Sequence, residues 1–337
     1  MPEVTAIIPT WNRRELLVRL IERIRGQTLA VSEILVVDNG SADGSADAAR
    51  ALGARVLEMG RNAGFAAAVN RGIRETGTEW AAIVNNDVIP RPDWLERLLN
   101  AAAAPGVWFA TGKLVRAAEP DVLDGTFDLV ARSGCAWRCG QGRKDGADWD
   151  RAMPIRMAPF TAAIFKRKVF DCAGPLDERF ESYLEDVDFG LRLMAKGLGG
   201  VYVPEAVAAH EGSATLGAWH PDTVRRMARN QVWLVAKHFR GNSWWPVAAG
   251  QLLWGLVALR HGGGIAWLRG KWEGARRFHE MRGDGGGAVP ENLLAESERL
   301  ILEYQRKTRF DAYWRAYFRL APPREGAGGN VVPGKAE

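Results

Sequence analysis

The first hundred residues alternate between short apolar runs and amphipathic runs, and that alternation leaves few folds open. "VTAIIP" (4–9), "EILVVD" (33–38), "ARVLEM" (54–59) and "WAAIV" (80–84) are strand-length and rich in branched side chains. Runs of this kind, without polar alternation, suit strands covered on both faces. Between the first two, Leu16, Leu17, Leu20, Ile21 and Ile24 share one face of a helix. Asn12, with Glu15 three residues on, predicts a capping box at its start. "NGSADGSADAAR" (39–50) and "AGFAAAVNRGIRE" (63–75) read as a turn and a loop, each feeding a further helix. Strand and helix alternating at this spacing imply an α/β fold, a Rossmann-like, mostly parallel sheet flanked by helices.

Ligands on such sheets bind beyond the carboxyl ends of the strands. The residues there are Pro9-Thr10, Asp38-Asn39 and Asn85-Asn86-Asp87, all polar or turn-forming. Residues 115–155 are Gly-rich and weakly periodic, and we expect irregular structure or a short hairpin over the site. "IRMAPFTAAIF" (155–165) returns to strand character, and "GPLDERFESYLEDVDFGLRLMAKG" (174–197) reads as a loop entering a helix that Gly197 ends. "GVYVP" and "AVAAH" read as two short strands. Beyond residue 220 only helical patterns follow. The expected organisation is an α/β ligand-binding unit over 1–219, a helical region over 220–320 and a disordered tail over 321–337.

Charge is unevenly spread. The whole chain carries +5, yet residues 220–282 hold eleven Lys/Arg against three Asp/Glu, with six of the fourteen tryptophans. A basic, Trp-rich segment points to a membrane surface rather than to nucleic acid, because the remainder is acidic. The uncharged run "WWPVAAGQLLWGLVAL" (244–259) is sixteen residues, against about twenty for a spanning helix. Interfacial binding fits it better, with a helical subdomain built around its tryptophans as the plainer reading. Cys135, Cys139 and Cys172 form neither a disulfide framework nor a zinc motif, which fits a reducing compartment. The N-terminal "MPEVTAIIPTWNRRELL" has no signal-peptide pattern.

Seven segments in order resemble the inverting family 2 nucleotide-sugar glycosyltransferases of the GT-A fold, and within them the bacterial rhamnosyltransferase-like branch. They are "IIPTWNR" (7–13), "ILVVDNGSADGS" (34–45), "RNAGFAAAVNRGI" (61–73), "VNNDVIPRPDWL" (84–95), "GPLDERFESYLEDVDFGLR" (174–192), "VAAHEGSAT" (207–215) and "RRMARN" (225–230). The resemblance implies that Pro9, Thr10, Asn12, Asp38, Asn39, Asn62, Gly64, Asn70, Asn85, Asn86 and Arg229 surround a nucleotide sugar. It implies Asp186 as the base that activates the acceptor, with Glu185 orienting it, and Asp87 with His210 on a divalent Mg²⁺ or Mn²⁺. Relatives commonly carry two aspartates where this chain has Asn85-Asn86-Asp87. One carboxylate is chemically sufficient, because phosphates and water complete a Mg²⁺ shell. Many relatives also place an arginine where Val69 stands, which puts a phosphate contact there in doubt.

Residue chemistry adds its own constraints. Asp38 before Asn-Gly can hold ribose hydroxyls or form an ordinary turn. Asp188 and Arg192, four apart, can simply pair on a helix surface. Arg229 can be a donor-phosphate ligand or part of a solvated basic face. The expected activity is transfer of a sugar, best matched by rhamnose or another deoxyhexose on dTDP or UDP, to a lipid-linked or polysaccharide acceptor. The expected place is the inner face of a bacterial plasma membrane. A non-catalytic nucleotide-sugar or polysaccharide binding module is the alternative, favoured by the reduced "NND". A nucleotidylyltransferase or a dehydrogenase would need a glycine-rich loop after the first strand, and "IIPTWNRRE" has none.

Overall fold

The structure is a computed structural model that describes residues 2–212, 219–241, 243–283 and 288–323. In chain order the strands are β1 Val4–Thr10, β2 Glu33–Asp38, β3 Arg55–Glu58, β4 Trp80–Val84, β5 Val88–Pro90 and β6 Val107–Arg116. They continue with β7 Leu123–Gly125, β8 Asp128–Val130, β9 Ala136–Arg138, β10 Met153–Ile155, β11 Ala162–Lys166 and β12 Gly199–His210. The first helices are α1 Arg14–Arg25, α2 Ser45–Ala51, α3 Phe65–Glu75, α4 Trp94–Ala102, α5 Lys168–Ala173 and α6 Glu185–Ala195. After residue 220 come α7 Pro221–His238, α8 Trp244–Arg260, α9 Gly264–Arg276, α10 Phe278–Gly283, α11 Glu291–Lys307 and α12 Ala312–Leu320.

The main sheet runs β10-β12-β6-β11-β4-β1-β2-β3. Its β3-β2-β1-β4 half is parallel, as the alternating pattern predicts, and β12 runs parallel to β6. Strand β11 lies antiparallel between β4 and β6. The period-2 geometry of strands divides the core between the two faces. Ile7, Leu35 and Val37 pack with Ala66, Val69 and Ile73 of α3. Ala6, Ile8 and Val36 pack with Leu17, Leu20, Ile21 and Ile24 of α1, and with α4. Gly72 lets α3 lie close: a Cβ there would stand 2.4 Å from Ile7 Cγ2.

Three local expectations are corrected. Asn12 does not cap α1: its φ is 57°, the N-cap is Arg13 at φ 67°, and the α1 amide of Arg14 instead donates to Asp43 Oδ2 at 2.9 Å. Side-chain capping therefore comes from the β2–α2 loop, which sequence distance hides. "GVYVP" and "AVAAH" are not two strands but one, β12, whose register on β6 shifts between Val203 and Val207. Asp188 and Arg192 pair 3.1 Å apart as expected, but in the interior, at 0% and 9% exposure.

The C-terminal helices do not pack as an isolated unit. Ile301 of α11 and Trp314 and Tyr317 of α12 belong to the same apolar cluster as Phe109, Phe127 and Phe165. The β8–β9 hairpin is the strut between the two regions. Val130 N donates to Ser297 at 2.9 Å, and Arg132 pairs with the fully buried Glu298 at 2.6 Å. Most of the expected tail, residues 324–337, lies outside the described residues.

Candidate active site

The parallel strands deliver their polar ends to one place. The β1–β2 register sets Thr10 opposite Asp38 and Pro9 opposite Val37, and Asn39 N donates to Thr10 O at 2.8 Å. Asn86 Nδ2 donates to Thr10 Oγ1 at 2.8 Å, tying the β4 end to the β1 end. Asn39 bridges onward, its Nδ2 reaching Asn62 Oδ1 at 3.2 Å and Gly64 O at 3.1 Å. Asn12 joins through Ala42 N, which donates to its Oδ1 at 3.0 Å. Asp38 is nearly buried and accepts the Ser41 amide on both oxygens at 3.2 Å, so it does form the turn that the plainer reading gives it. Trp11, 42% exposed, projects beside Thr10; nothing in the sequence singled it out.

Two site residues are committed to protein partners. Asn70, 2% exposed, donates to Leu176 O and to Glu178 Oε1, both at 2.9 Å, and accepts from Leu176 N at 2.8 Å. Val69 before it sits in the apolar core. Arg229 is not part of a solvated face but is buried. Its guanidinium reaches Glu181 Oε1 and Phe180 O at 3.1 Å each and lies 4.4 Å from the Trp233 ring centroid. Asn230 Nδ2 donates to Phe180 O, Ser182 O and Tyr183 O at 3.1, 3.1 and 2.7 Å. These two residues clamp the loop that enters α6. That loop contains Glu181, Tyr183 and Leu184 at φ 62°, 72° and 67°, a strained conformation for residues with side chains. Gly64 allows its close approach: with φ 92°, it lies where a Cβ would stand 2.9 Å from Glu181 O.

The clamped loop presents Glu185 and Asp186 at the start of α6. Burial and the charge of Asp128 raise the Asp186 carboxyl to about 6, against the pull of Arg138. Burial, then the charge of Asp186, pushes Glu185 well above the usual carboxylate range. Glu185 Oε2 and Asn85 Oδ1 are buried oxygens without a hydrogen-bond partner. Buried polar atoms are ordinarily satisfied, so two orphans at one site suit a polar ligand.

Asp87 meets His210 because β5 and β12 pair antiparallel with Val88 opposite His210. His210 Nε2 lies 3.1 Å from Asp87 Oδ1, and Nδ1 lies 2.8 Å from Asp124 Oδ2. Asp124 arrives through β7, which pairs with β6 beside His210. Burial lowers the imidazole pKa, but the hydrogen bonds the ring donates to both aspartates outweigh it and raise the ring to about 9. No cluster of three or more His, Cys, Asp or Glu able to hold a metal occurs among the described residues. The donor set nevertheless fits a divalent cation completed by substrate phosphates. Asp87 would be a ligand, and so would Nε2 once the cation displaces the proton it shares with Asp87, with Asp124 fixing the ring through Nδ1, the usual outer-shell arrangement for a ligating histidine.

Arg138 joins the two halves. It pairs with Asp128 at 3.1 Å, donates to Thr161 Oγ1 at 3.1 Å, and reaches Asp186 Oδ2 at 3.4 Å. Its charge also acts on Asp124. Thr161 O in turn accepts the amide of Asn85 at 2.9 Å. Arg138 thus contacts Asp186 and its charge acts on Asp124, the carboxylate that bonds His210 beside Asp87. Asp124, Asp128 and Arg138 escaped the sequence reading because they lie in the weakly patterned 115–155 stretch.

Similarity to known proteins agrees with this geometry. Residues 5–174 match the sequence model described as Glycosyl transferase family 2. An N-acetylglucosaminyl-diphospho-decaprenol L-rhamnosyltransferase of Mycobacterium tuberculosis is 29% identical over 259 residues, 67% of this chain and 81% of its own. The fold resembles a mannosyltransferase of Pyrobaculum calidifontis in complex with GDP-Man and Mn²⁺, at TM-score 0.53 and 21% identity, over 94% of this chain and 86% of that one. It also resembles GalNAc-T7 with UDP, GalNAc and Mn²⁺, at TM-score 0.61 and 13% identity, over 83% and 56%. With an α/β sheet of the GT-A kind and a family match over half its length, this chain belongs to glycosyl transferase family 2.

Proposed function

We propose that the chain is an inverting, metal-dependent glycosyltransferase. It moves a sugar, best matched by rhamnose or another deoxyhexose on dTDP or UDP, to a hydroxyl of a lipid-linked or polysaccharide acceptor. Its setting is glycan synthesis at the inner face of a bacterial plasma membrane. The observation that carries the reading is Asp186: a partly buried carboxyl near pKa 6, held at a helix start 3.4 Å from Arg138, whose charge also acts on the Asp124 that bonds His210. A base is most useful with a pKa near the working pH, and general base catalysis contributes about 10²–10⁴ in rate. The named activity of the mycobacterial relative supports the donor and acceptor, and Mn²⁺ in both structural neighbours supports the metal.

In this reading the ends of β1 and β2 hold the nucleoside, with Thr10, Asp38, Asn39 and Asn12 around it. Pro9, Asn62 and Gly64 shape the wall, and Asn86 fixes Thr10. Asn85 Oδ1 and Glu185 Oε2 accept from hydroxyls of donor and acceptor. Asp186 removes the acceptor hydroxyl proton as that oxygen attacks the sugar's anomeric carbon and the nucleoside diphosphate leaves from the opposite side. Mg²⁺ or Mn²⁺, held by Asp87 and His210, would neutralise charge on the departing diphosphate. Asn70 and Arg229 support the site by holding its loop. The intact acid pair argues against a non-catalytic binding module.

The test incubates the protein with dTDP-rhamnose, Mn²⁺ and a polyprenyl-diphosphate sugar acceptor, and compares Asp186→Asn. We expect turnover to fall about 10²–10⁴-fold while nucleotide affinity is kept. Equal turnover by both proteins would remove Asp186 from the mechanism, and no transfer or donor hydrolysis with any nucleotide sugar would end the proposal.

A further inference from the structure

Helices α8 and α9 are built inside out. Their buried positions are small: Ala249, Gly250, Gly255 and Ala258 in α8, and Ala266, Gly270 and Gly274 in α9. A Cβ at Gly270 would stand 2.2 Å from Arg225 O, and one at Gly274 would stand 2.7 Å from Val232 Cβ, so α9 lies hard against α7. Leu253, Trp254 and Trp267 are half-buried against the core, but other large apolar side chains point outward. Leu252, Leu256 and Leu259 are 62–65% exposed, Ile265, Leu268 and Trp272 are 60–76% exposed, and Trp244 is 73% exposed. The spacings 252-256-259 and 265-268-272 each make one stripe along a helix. Among the described residues, nine of the eleven exposed large apolar side chains belong to α8, α9 or the end of α12. A soluble subdomain has no reason to bury glycine and display leucine.

We propose that the α8–α9 hairpin is an in-plane docking surface for an anionic lipid bilayer, and that it holds the catalytic cleft at the membrane. The inference rests on the proposed function only for its lipid-linked acceptor. Charge selects the occupant. Arg260, Arg269 and Arg276 are exposed around the stripes, and the Arg276 guanidinium lies 4.5 Å from the Trp272 ring centroid. Residues 220–282 carry eight net positive charges. Aromatic and basic groups around an apolar face suit headgroup depth, with the face about 5–10 Å into the boundary. No helix among the described residues is long and apolar enough to cross a membrane, so the hairpin lies in the interface.

The position also serves the reaction. Gln251 of α8 donates to Ser133 O at 2.7 Å, at the tip of the β8–β9 hairpin. Arg138, beside Asp186, stands at the base of that hairpin. Ser133 and Arg138 lie five residues apart on one hairpin, which ties the docking face to the surroundings of Asp186.

The experiment is co-sedimentation of the full chain with vesicles of phosphatidylglycerol and phosphatidylcholine, and with phosphatidylcholine alone. We expect binding to the first that weakens with salt, a blue shift in tryptophan emission, and little binding to the second. The variant Leu256→Ser/Leu268→Ser/Trp272→Ser should bind at least tenfold more weakly while keeping its circular-dichroism melt and its transfer to a short water-soluble acceptor. Absence of vesicle binding by the native chain would overturn the inference. So would a concentration-dependent dimer that the triple variant abolishes, which would assign the face to a second copy. Neither result touches the glycosyltransferase reading, which soluble-acceptor turnover measures separately.

Discussion

Asn230→Ala tests whether the Glu185–Asp186 pair, catalytic in the proposed function, is positioned by a clamp on a strained loop. Asn230 is fully buried, and its one amide group serves three loop carbonyls while its Oδ1 accepts from Arg229 Nε at 2.9 Å. Truncation leaves those carbonyls unserved, and an unmade buried hydrogen bond costs about 1–3 kcal/mol. The amide has two protons, so we expect a loss of about 3 kcal/mol rather than three independent penalties. The residues it holds at positive φ each carry strain of about 1–3 kcal/mol, which the freed loop would relax by moving. The loop leads directly into Glu185, and a misplacement of about 1 Å costs about 10²-fold in rate. Urea unfolding followed by circular dichroism gives the stability change. Turnover well below the unfolding transition gives the rate, and calorimetric titration of the nucleotide isolates donor binding. We expect stability and kcat to fall by these amounts with nucleotide affinity preserved, and Asn230→Asp to be no better, since it sets a carboxylate against carbonyl oxygens. Native kcat in a folded Asn230→Ala protein would refute the clamp.

Asp186 must be ionised to take a proton, so kcat/KM should fall about tenfold per pH unit below pH 6, and Asp186→Asn should lack that limb. Arg138 opposes the rise at Asp186, so Arg138→Gln should move the limb to higher pH; no movement would show that the 3.4 Å contact is electrostatically idle. Asp124→Asn should weaken Mn²⁺ binding in the presence of nucleoside diphosphate about 10–100-fold, read by calorimetry, and unchanged affinity would remove Asp124 from the outer shell of that site. Burial raises the Asp188 carboxyl, but the hydrogen bond from His238 and the charges of Arg192, His238 and Lys237 outweigh it and hold it well below the usual range. A depressed folded pKa stabilises above the unfolded value of about 3.9 and is lost as pH falls through the folded one. Asp188→Asn should therefore cost about 3–5 kcal/mol at neutral pH and flatten the acid limb of the stability profile.

The sheet was legible because local rules and tertiary fate agree there. Branched runs such as "EILVVD" fit a strand covered on both faces, and Thr10, Asp38 and Asn85–Asp87 stand at strand ends, where the topology must gather them. The order of motifs was equally legible, and so was the bulky apolar content of the helices after 220. Which way that content faces was not, because α8 is apolar all round and only packing against α9, α12 and the β8–β9 turn shows its glycines are inside.

By itself the sequence determined the parallel half-sheet, the strand-end carboxylates and the Glu185-Asp186 pair, since each depends on neighbours within a few residues. The tertiary structure alone decided that Asp124 would orient His210, that Arg138 would bridge to Asp186, and that Asn70, Arg229 and Asn230 would hold loops. Those contacts join residues 47 to 123 positions apart, which no local pattern encodes. It likewise decided that Asp188 and Arg192 would be buried, because the His238 and Lys237 that complete their charge balance arrive from α7.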